Sequence, residues 1–349
     1  MQMKEKMFRI VVAGCGGMAN TWVEYAMGRQ DAEIVGLVDI RLESAERMAE
    51  RHGLSCGKYV SLEEAIKENE ANLVFDVTIP ASHHEIGTAA MKLGCDVFSE
   101  KPLAESLDGC LDLVRVSDET GRSHAVMQNR RFDPNIRALR SLIKEGTIGK
   151  PGFAGADFFI GAHFGGFRDA MESPLILDMA IHTFDQARLI LGADPISVYC
   201  HEFNPAGSWY AGSAAAVCIF EMSDGSVFNY RGSWCAEGAP TSWEAQWRIT
   251  GSAGTAIWNG SDSPYADILA PQQEEQAFLK ATKRIETSPA AGGASWHHRC
   301  LDELFDSLLQ ERPAETDCRD NLLSMAMVLG AMESSRSGRK VLLSELLGR

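Results

Sequence analysis

The chain has no run of about 18 apolar residues, so no segment reads as a transmembrane helix. It has no CxxC pair. Its nine cysteines (Cys15, Cys56, Cys95, Cys110, Cys200, Cys218, Cys235, Cys300 and Cys318) are scattered and odd in number. That pattern argues against a zinc cluster and a disulfide framework, and no metal site is expected. Positive charge is short: 33 Lys and Arg face 48 Asp and Glu, for a net charge of −15. Such a surface disfavours nucleic acid and anionic membrane as partners, since both are negative. No internal repeat and no low-complexity tract is visible. Met1 to Met7 is short and polar and leads straight into a strand-like run, so no signal peptide is expected. Together these features point to a reducing cytoplasm.

What is present is an ordinary globular composition, 45% hydrophobic and 23% charged, over 349 residues. That length suggests two domains and a sizeable core. Strand-like runs at Phe8–Ala13, Glu33–Val38, Leu73–Thr78, Asp96–Ser99 and Ser123–Met127 alternate with helical stretches at Asn20–Met27, Leu42–Arg51, Ile86–Leu93 and Ser106–Thr120. Alternation of this kind predicts a doubly wound parallel sheet, an α/β domain placed at residues 1–125. Residues 126–349 read differently. Asn135–Glu145 is an amphipathic helix, Phe153–Ile160 a strand, and Ile176–Leu191 an apolar helix carrying several polar residues. Strand runs follow at Ala214–Met222, Ser226–Trp234, Ala245–Thr250 and Thr255–Trp258, with tight turns such as Ser223-Asp224-Gly225 between them. They predict an α+β domain with a large, mostly antiparallel open sheet. Gln272–Ser295 reads as a polar surface connection, and Trp296–Leu309 and Asp320–Ser335 as late helices.

Gly14-x-Gly16-x-x-Ala19 fits the dinucleotide pattern G-x-G-x-x-G/A. The pattern alone is weak evidence, because glycine-rich turns also occur without a cofactor. Its context speaks for the cofactor: a strand precedes it, a helix follows, and Asp39 closes the next strand. Gly14 permits the tight turn, Gly16 lets backbone approach a pyrophosphate, and Ala19 allows close helix packing. Gly17 and Met18 complete the loop at a helix N-terminus, where amides and the helix dipole favour an anion. Asp39 suits the ribose hydroxyls of NAD. Arg41, two residues on, suits the 2′-phosphate of NADP, so NAD is expected and NADP stays open.

Further motifs occur in order. Thr78-Ile79-Pro80-Ala81-Ser82-His83-His84 precedes Glu100-Lys101-Pro102. Asn129-Arg130-Arg131-Phe132-Asp133-Pro134, Asp178-Met179-Ala180-Ile181-His182-Thr183-Phe184-Asp185 and Asp320-Asn321-Leu322-Leu323 follow. From about Phe8 to Val341 the chain resembles the Gfo/Idh/MocA oxidoreductases, named for glucose–fructose oxidoreductase and inositol dehydrogenase. The resemblance implies NAD- or NADP-dependent hydride transfer at a sugar, polyol or cyclitol carbon. It implies Lys101, Asp178 and His182 as a catalytic trio. Thr78, Pro80 and His84 would lie near the cofactor, with Glu100 beside it. It also implies a homodimer or homotetramer through the open C-terminal sheet. Ser173-Pro174-Leu175 stands where many relatives have a glycine-rich stretch, which leaves the substrate open.

The residue chemistry agrees with that implication. Removing hydride from an alcohol also requires loss of its hydroxyl proton, a task suited to the imidazole of His182. Asp178 lies four residues earlier, on the same helical face, to orient the ring or bind a substrate hydroxyl. Lys101 at a strand's carboxyl end would stabilise a developing alkoxide. Asp185 reads as a second orienting group or a structural partner, and Arg131 as a further substrate contact. Arg168 reads as a substrate ligand or a surface residue. His163 and His298 read as structural, and the late tryptophans as core or interface. Two other classes stay open: an NAD-dependent glycosidase using transient oxidation, and a non-catalytic dinucleotide sensor.

Overall fold

The computed structural model describes residues 7–271, 277–289 and 295–348. They form two compact units, residues 1–129 with 294–322 and residues 130–293 with 323–349.

In the first unit, strands β1 (Phe8–Ala13), β2 (Ala32–Val38), β3 (Gly57–Tyr59), β4 (Leu73–Asp76), β5 (Asp96–Ser99) and β6 (His124–Val126) pair in parallel in the order β3-β2-β1-β4-β5-β6. Helices α1 (Ala19–Met27), α2 (Leu42–His52), α3 (Leu62–Asn69), α4 (Pro80–Lys92) and α5 (Leu107–Thr120) link them. β4 and β5 are buried along their whole length, as expected for strands covered on both faces. Strand order reverses between β1 and β4. That switch point is where open sheets of this kind bind ligands, beyond the carboxyl ends of the strands.

The second unit opens with α6 (Pro134–Lys144) and is built on a nine-stranded sheet. Its strands are β7 (Pro151–Phe159), β8 (Pro195–Phe203), β9 (Ala215–Met222), β10 (Val227–Ser233), β11 (Gln246–Gly251), β12 (Gly254–Trp258), β13 (Tyr265–Leu269), β14 (Thr282–Glu286) and β15 (Val341–Leu342). The order is β14-β13-β12-β11-β7-β10-β9-β8-β15, antiparallel except between β7 and β10. Buried and exposed residues alternate along β9, so one face carries the core and the other is open. The long helix expected at Ile176–Leu191 has two parts. A π-helical turn spans Leu175–Ala180, and α7 (Ile181–Leu191) continues it with every residue buried.

Two expectations change. The boundary expected after residue 125 falls after residue 129, and α8 (Trp296–Leu309) belongs to the first unit. The reason is apolar: the Phe305 ring lies 4.9 Å from Phe8, 5.4 Å from Phe98 and 6.1 Å from Phe75. Local pattern shows that a helix is amphipathic, not which sheet it covers. α9 (Cys318–Ser337) then carries the chain from the first unit into the second, before β15 and α10 (Leu343–Leu346). Within the supposed surface connection Gln272–Ser295, Thr282–Glu286 is a strand, paired with β13; residues 272–276 and 290–294 lie outside the described residues. Among the described residues no helix is long and apolar enough to cross a membrane.

Candidate functional site

The glycine loop between β1 and α1 is shaped by backbone constraints. Gly14 has φ +87°, and a Cβ there would lie 2.6 Å from the Val77 carbonyl oxygen. Only glycine fits. At Gly16 and Gly17 a Cβ would meet nothing within 4 Å, so the space beside these residues is clear. Met18 makes no side-chain cap, and the first turn of α1 holds no acidic residue. No acidic side chain of α1 itself offsets the positive end of the helix. Asp39 Oδ2 accepts the Cys15 N–H at 3.0 Å, and Oδ1 accepts the Arg41 N–H at 2.9 Å. A carboxylate has about four acceptor positions, so capacity remains for two ribose hydroxyls. Arg41 itself is exposed at the start of α2. Clear space at Gly16, an uncapped α1 and a fixed Asp39 fit a dinucleotide: pyrophosphate at the loop, adenine ribose at Asp39.

The loops after β4 and β5 share that sheet edge. Asp76 is fully buried, and its Oδ1 accepts from the Thr78 hydroxyl at 2.6 Å and the Thr78 N–H at 3.2 Å. Pro80 opens α4. Glu100 Oε1 accepts from the Trp22 indole of α1 at 2.9 Å, and Oε2 from the Lys101 N–H at 3.3 Å. Glu100 thus ties the Lys101 loop to the helix that follows the glycine turn. His84 is placed differently from His83. It lies exposed on α4, paired with Asp112 at 2.8 Å. Its neighbour His83 is the inward one, with Nδ1 2.6 Å from the Pro102 carbonyl oxygen and Nε2 3.3 Å from the Thr78 carbonyl oxygen. Sequence reasoning missed His83. The signal was there, because His83, Gly87, Ala90 and Met91 form the buried stripe of α4 at helical spacing.

In the second unit, Asp178 lies in the π-helical turn and His182 in the first turn of α7. π-turns are rare and recur at functional sites. His182 is buried. The Arg168 guanidinium donates through Nε to Asp178 Oδ2 at 2.6 Å and lies over the rings of Phe164 and Phe167. The structure therefore brings Arg168 to Asp178. Arg131 and Asp185 are placed differently. They pair through two bonds of 2.6 and 2.7 Å, with side chains only 6% and 2% exposed. Ser324 Oγ donates to the same Asp185, and Arg188 donates to Ser324. This pair lies buried inside the unit. His163 pairs with Glu237 and stacks on Trp209, while His298 packs on Tyr25.

Residues 8–128 match the model of an oxidoreductase family with an NAD-binding Rossmann fold, and residues 136–257 match the GFO/IDH/MocA C-terminal domain. The uncharacterized protein y4oX of Sinorhizobium fredii is 26% identical, over 97% of both chains. The myo-inositol 2-dehydrogenase of Thermotoga maritima is 30% identical over 55% of this chain and 57% of its own length. The chain thus aligns with little more than half of that dehydrogenase. Among solved structures, an Agrobacterium radiobacter oxidoreductase in complex with NAD+, L-tartaric acid and magnesium superposes with a TM-score of 0.85. It is 22% identical, and the match covers 97% of this chain and 99% of that one. The chain belongs to the GFO/IDH/MocA oxidoreductase family, with an NAD-binding Rossmann domain followed by that family's C-terminal domain.

Proposed function

We propose that this protein transfers hydride between a nicotinamide cofactor, NAD rather than NADP, and a hydroxyl-bearing carbon of a sugar, polyol or cyclitol. The observation that carries the reading is the placement of Lys101. It follows β5 at the carboxyl edge of the parallel sheet, in a loop bonded through Glu100 to the dinucleotide helix α1. Relatives named myo-inositol 2-dehydrogenase and 1,5-anhydro-D-fructose reductase support the substrate class. Bound NAD+ supplies the hydride acceptor. The Lys101 ammonium stabilises negative charge on the substrate oxygen, and His182 takes the hydroxyl proton. Asp178, already held by Arg168, orients the imidazole or a neighbouring hydroxyl. Asp39 accepts from the ribose hydroxyls and repels a 2′-phosphate. The open face of the second unit's sheet, which carries exposed Tyr199, Phe203, Val217 and Ile219, supports self-association as a homodimer or homotetramer.

A panel of polyols and sugars with NAD+ and NADP+, followed by absorbance of the reduced cofactor, tests the reading. Lys101→Ala and His182→Ala should each lower turnover by about a hundred-fold or more while NADH binding persists. Wild-type turnover in both variants would overturn these roles.

A further inference from the structure

The first unit holds a buried polar cluster that the proposed chemistry does not use. His83 is fully buried on α4. Its two ring nitrogens face two backbone carbonyl oxygens, Pro102 at 2.6 Å and Thr78 at 3.3 Å. A carbonyl only accepts. A neutral imidazole has one N–H, so it satisfies one of these contacts and sets a lone pair against the other. The shorter contact, to Pro102, is the one that takes the N–H. Asp76, also buried, keeps Oδ2 without a hydrogen-bond partner among the described residues, and burial pushes its carboxyl above the usual carboxylate range. His124, the other nearby imidazole, is pushed down to about 3 by burial and by the charge of His83, so it stays neutral.

The two carbonyls belong to the two loops that flank the proposed nicotinamide position. Pro102 follows Lys101 directly. Thr78 leads into Pro80 and is fixed from its other side by Asp76. We propose that His83 is a positioning residue: its buried ring, bonded through Nδ1 to the Pro102 carbonyl and seated against the Thr78 carbonyl, holds the Lys101 loop to the Thr78 loop and so fixes the Lys101 amine beside the nicotinamide. On the opposite side, Trp22 holds Glu100, so the loop is tied at the residue before Lys101 and at the residue after it. The inference rests on the proposed role of Lys101. It concerns the nicotinamide half of the cofactor site, because the polar contacts of the His83 ring go to the Pro102 and Thr78 carbonyls and not to the glycine loop or Asp39.

That restriction supplies the test. NADH and ADP-ribose, which lacks the nicotinamide, are titrated into wild-type protein, His83→Ala and His83→Asn. His83→Ala should weaken NADH by about ten-fold while ADP-ribose stays within about two-fold. The Asn amide nitrogen stands near the Nδ1 position, so His83→Asn should keep the Pro102 bond and recover part of the NADH affinity. Equal losses for both ligands, or no loss for either, would overturn the proposal. Nitrogen-15 NMR of the wild-type ring adds a readout independent of any variant's folding. A proton on Nδ1, the nitrogen facing the Pro102 carbonyl, is expected, and a ring protonated at Nε2 alone would overturn it. None of these measurements needs the substrate. An inactive wild type that still shows the NADH/ADP-ribose split would count against the proposed reaction and leave the role of His83 standing.

Discussion

The two units build their candidate sites from different materials. In the first, the dinucleotide cradle is mainly backbone: a turn only glycine can make at Gly14, clear space at Gly16, an uncapped helix end, and one carboxylate tied to two amides. In the second, the candidate groups stand on a largely buried helical segment threaded with ions. Arg131, Asp185, Ser324 and Arg188 form one chain of bonds, and Arg130, Glu244 and Gln186 form another. Backbone cradles tolerate solvent and wait for a ligand. Buried ions must find partners within the fold, because an unpaired one is expensive. The same residue types therefore signal a ligand in one unit and a packing solution in the other.

The sharpest way to break that comparison is to remove one aspartate from each unit. Asp185→Ala leaves Arg131 buried without its carboxylate and should cost about 3–5 kcal/mol of stability in urea unfolding. Asp39→Ala removes a partly solvated group. It should leave the unfolding midpoint nearly unchanged while abolishing the preference for NAD over NADP. If Asp185→Ala melts like wild type, the structural reading of the pair fails.

The next effect is acid sensitivity in the first unit. His124 is fully buried with Ser99 Oγ 2.9 Å from Nε2, and its pKa is lowered from 6.5 to about 3, chiefly by burial. The folded state keeps it neutral while the unfolded chain takes up a proton below pH 6.5. Its contribution is thus fully present above that pH and is lost as pH falls toward 3, on the order of 5 kcal/mol in all. His124→Gln should flatten the stability profile across that window. An unchanged slope would remove His124 from the account.

The glycines give a smaller contrast. Gly14→Ala combines positive φ with a clash against Val77 and should cost about 2 kcal/mol of stability. Gly16→Ala points a methyl into clear space. It should keep wild-type stability and lose affinity for NADH, which a paired melt and titration would show.

These contrasts also explain what was legible in the sequence. Strand, glycine turn, helix and Asp39 form a local pattern, so their spacing predicts their geometry, and β1 through α2 follow it closely. The Asp178–His182 segment was legible as a helix, but not its π-turn, which depends on how the segment packs. His83 and His84 are adjacent and chemically identical. Only the buried stripe of α4 separates the one facing Pro102 from the one paired with Asp112 on the surface. Arg131 and Asp185 are 54 positions apart, and nothing local indicates that they satisfy each other. Short strands such as β3 and β14 carry too few residues to show a period.

The smallest expected effect runs opposite to that of His124. Glu202, in β8 of the second unit, accepts a hydrogen bond from Ser173 at 3.2 Å, and its pKa is raised from 4.5 to about 7, mainly by burial. For an acid raised in this way, the folded state holds a proton that the unfolded chain releases above pH 4.5. The contribution is fully present below that pH and is lost as pH rises through 7. Partial solvent access brings the loss to about 2 kcal/mol. Glu202→Gln keeps the shape and cannot ionise. It should match wild type at pH 4.5 and exceed it at pH 8. The first unit would then soften toward acid and the second toward neutral pH. Equal stability of Glu202→Gln and wild type at both pH values would show that this carboxyl is solvated well enough to ionise freely, and the opposition between the two units would rest on His124 alone.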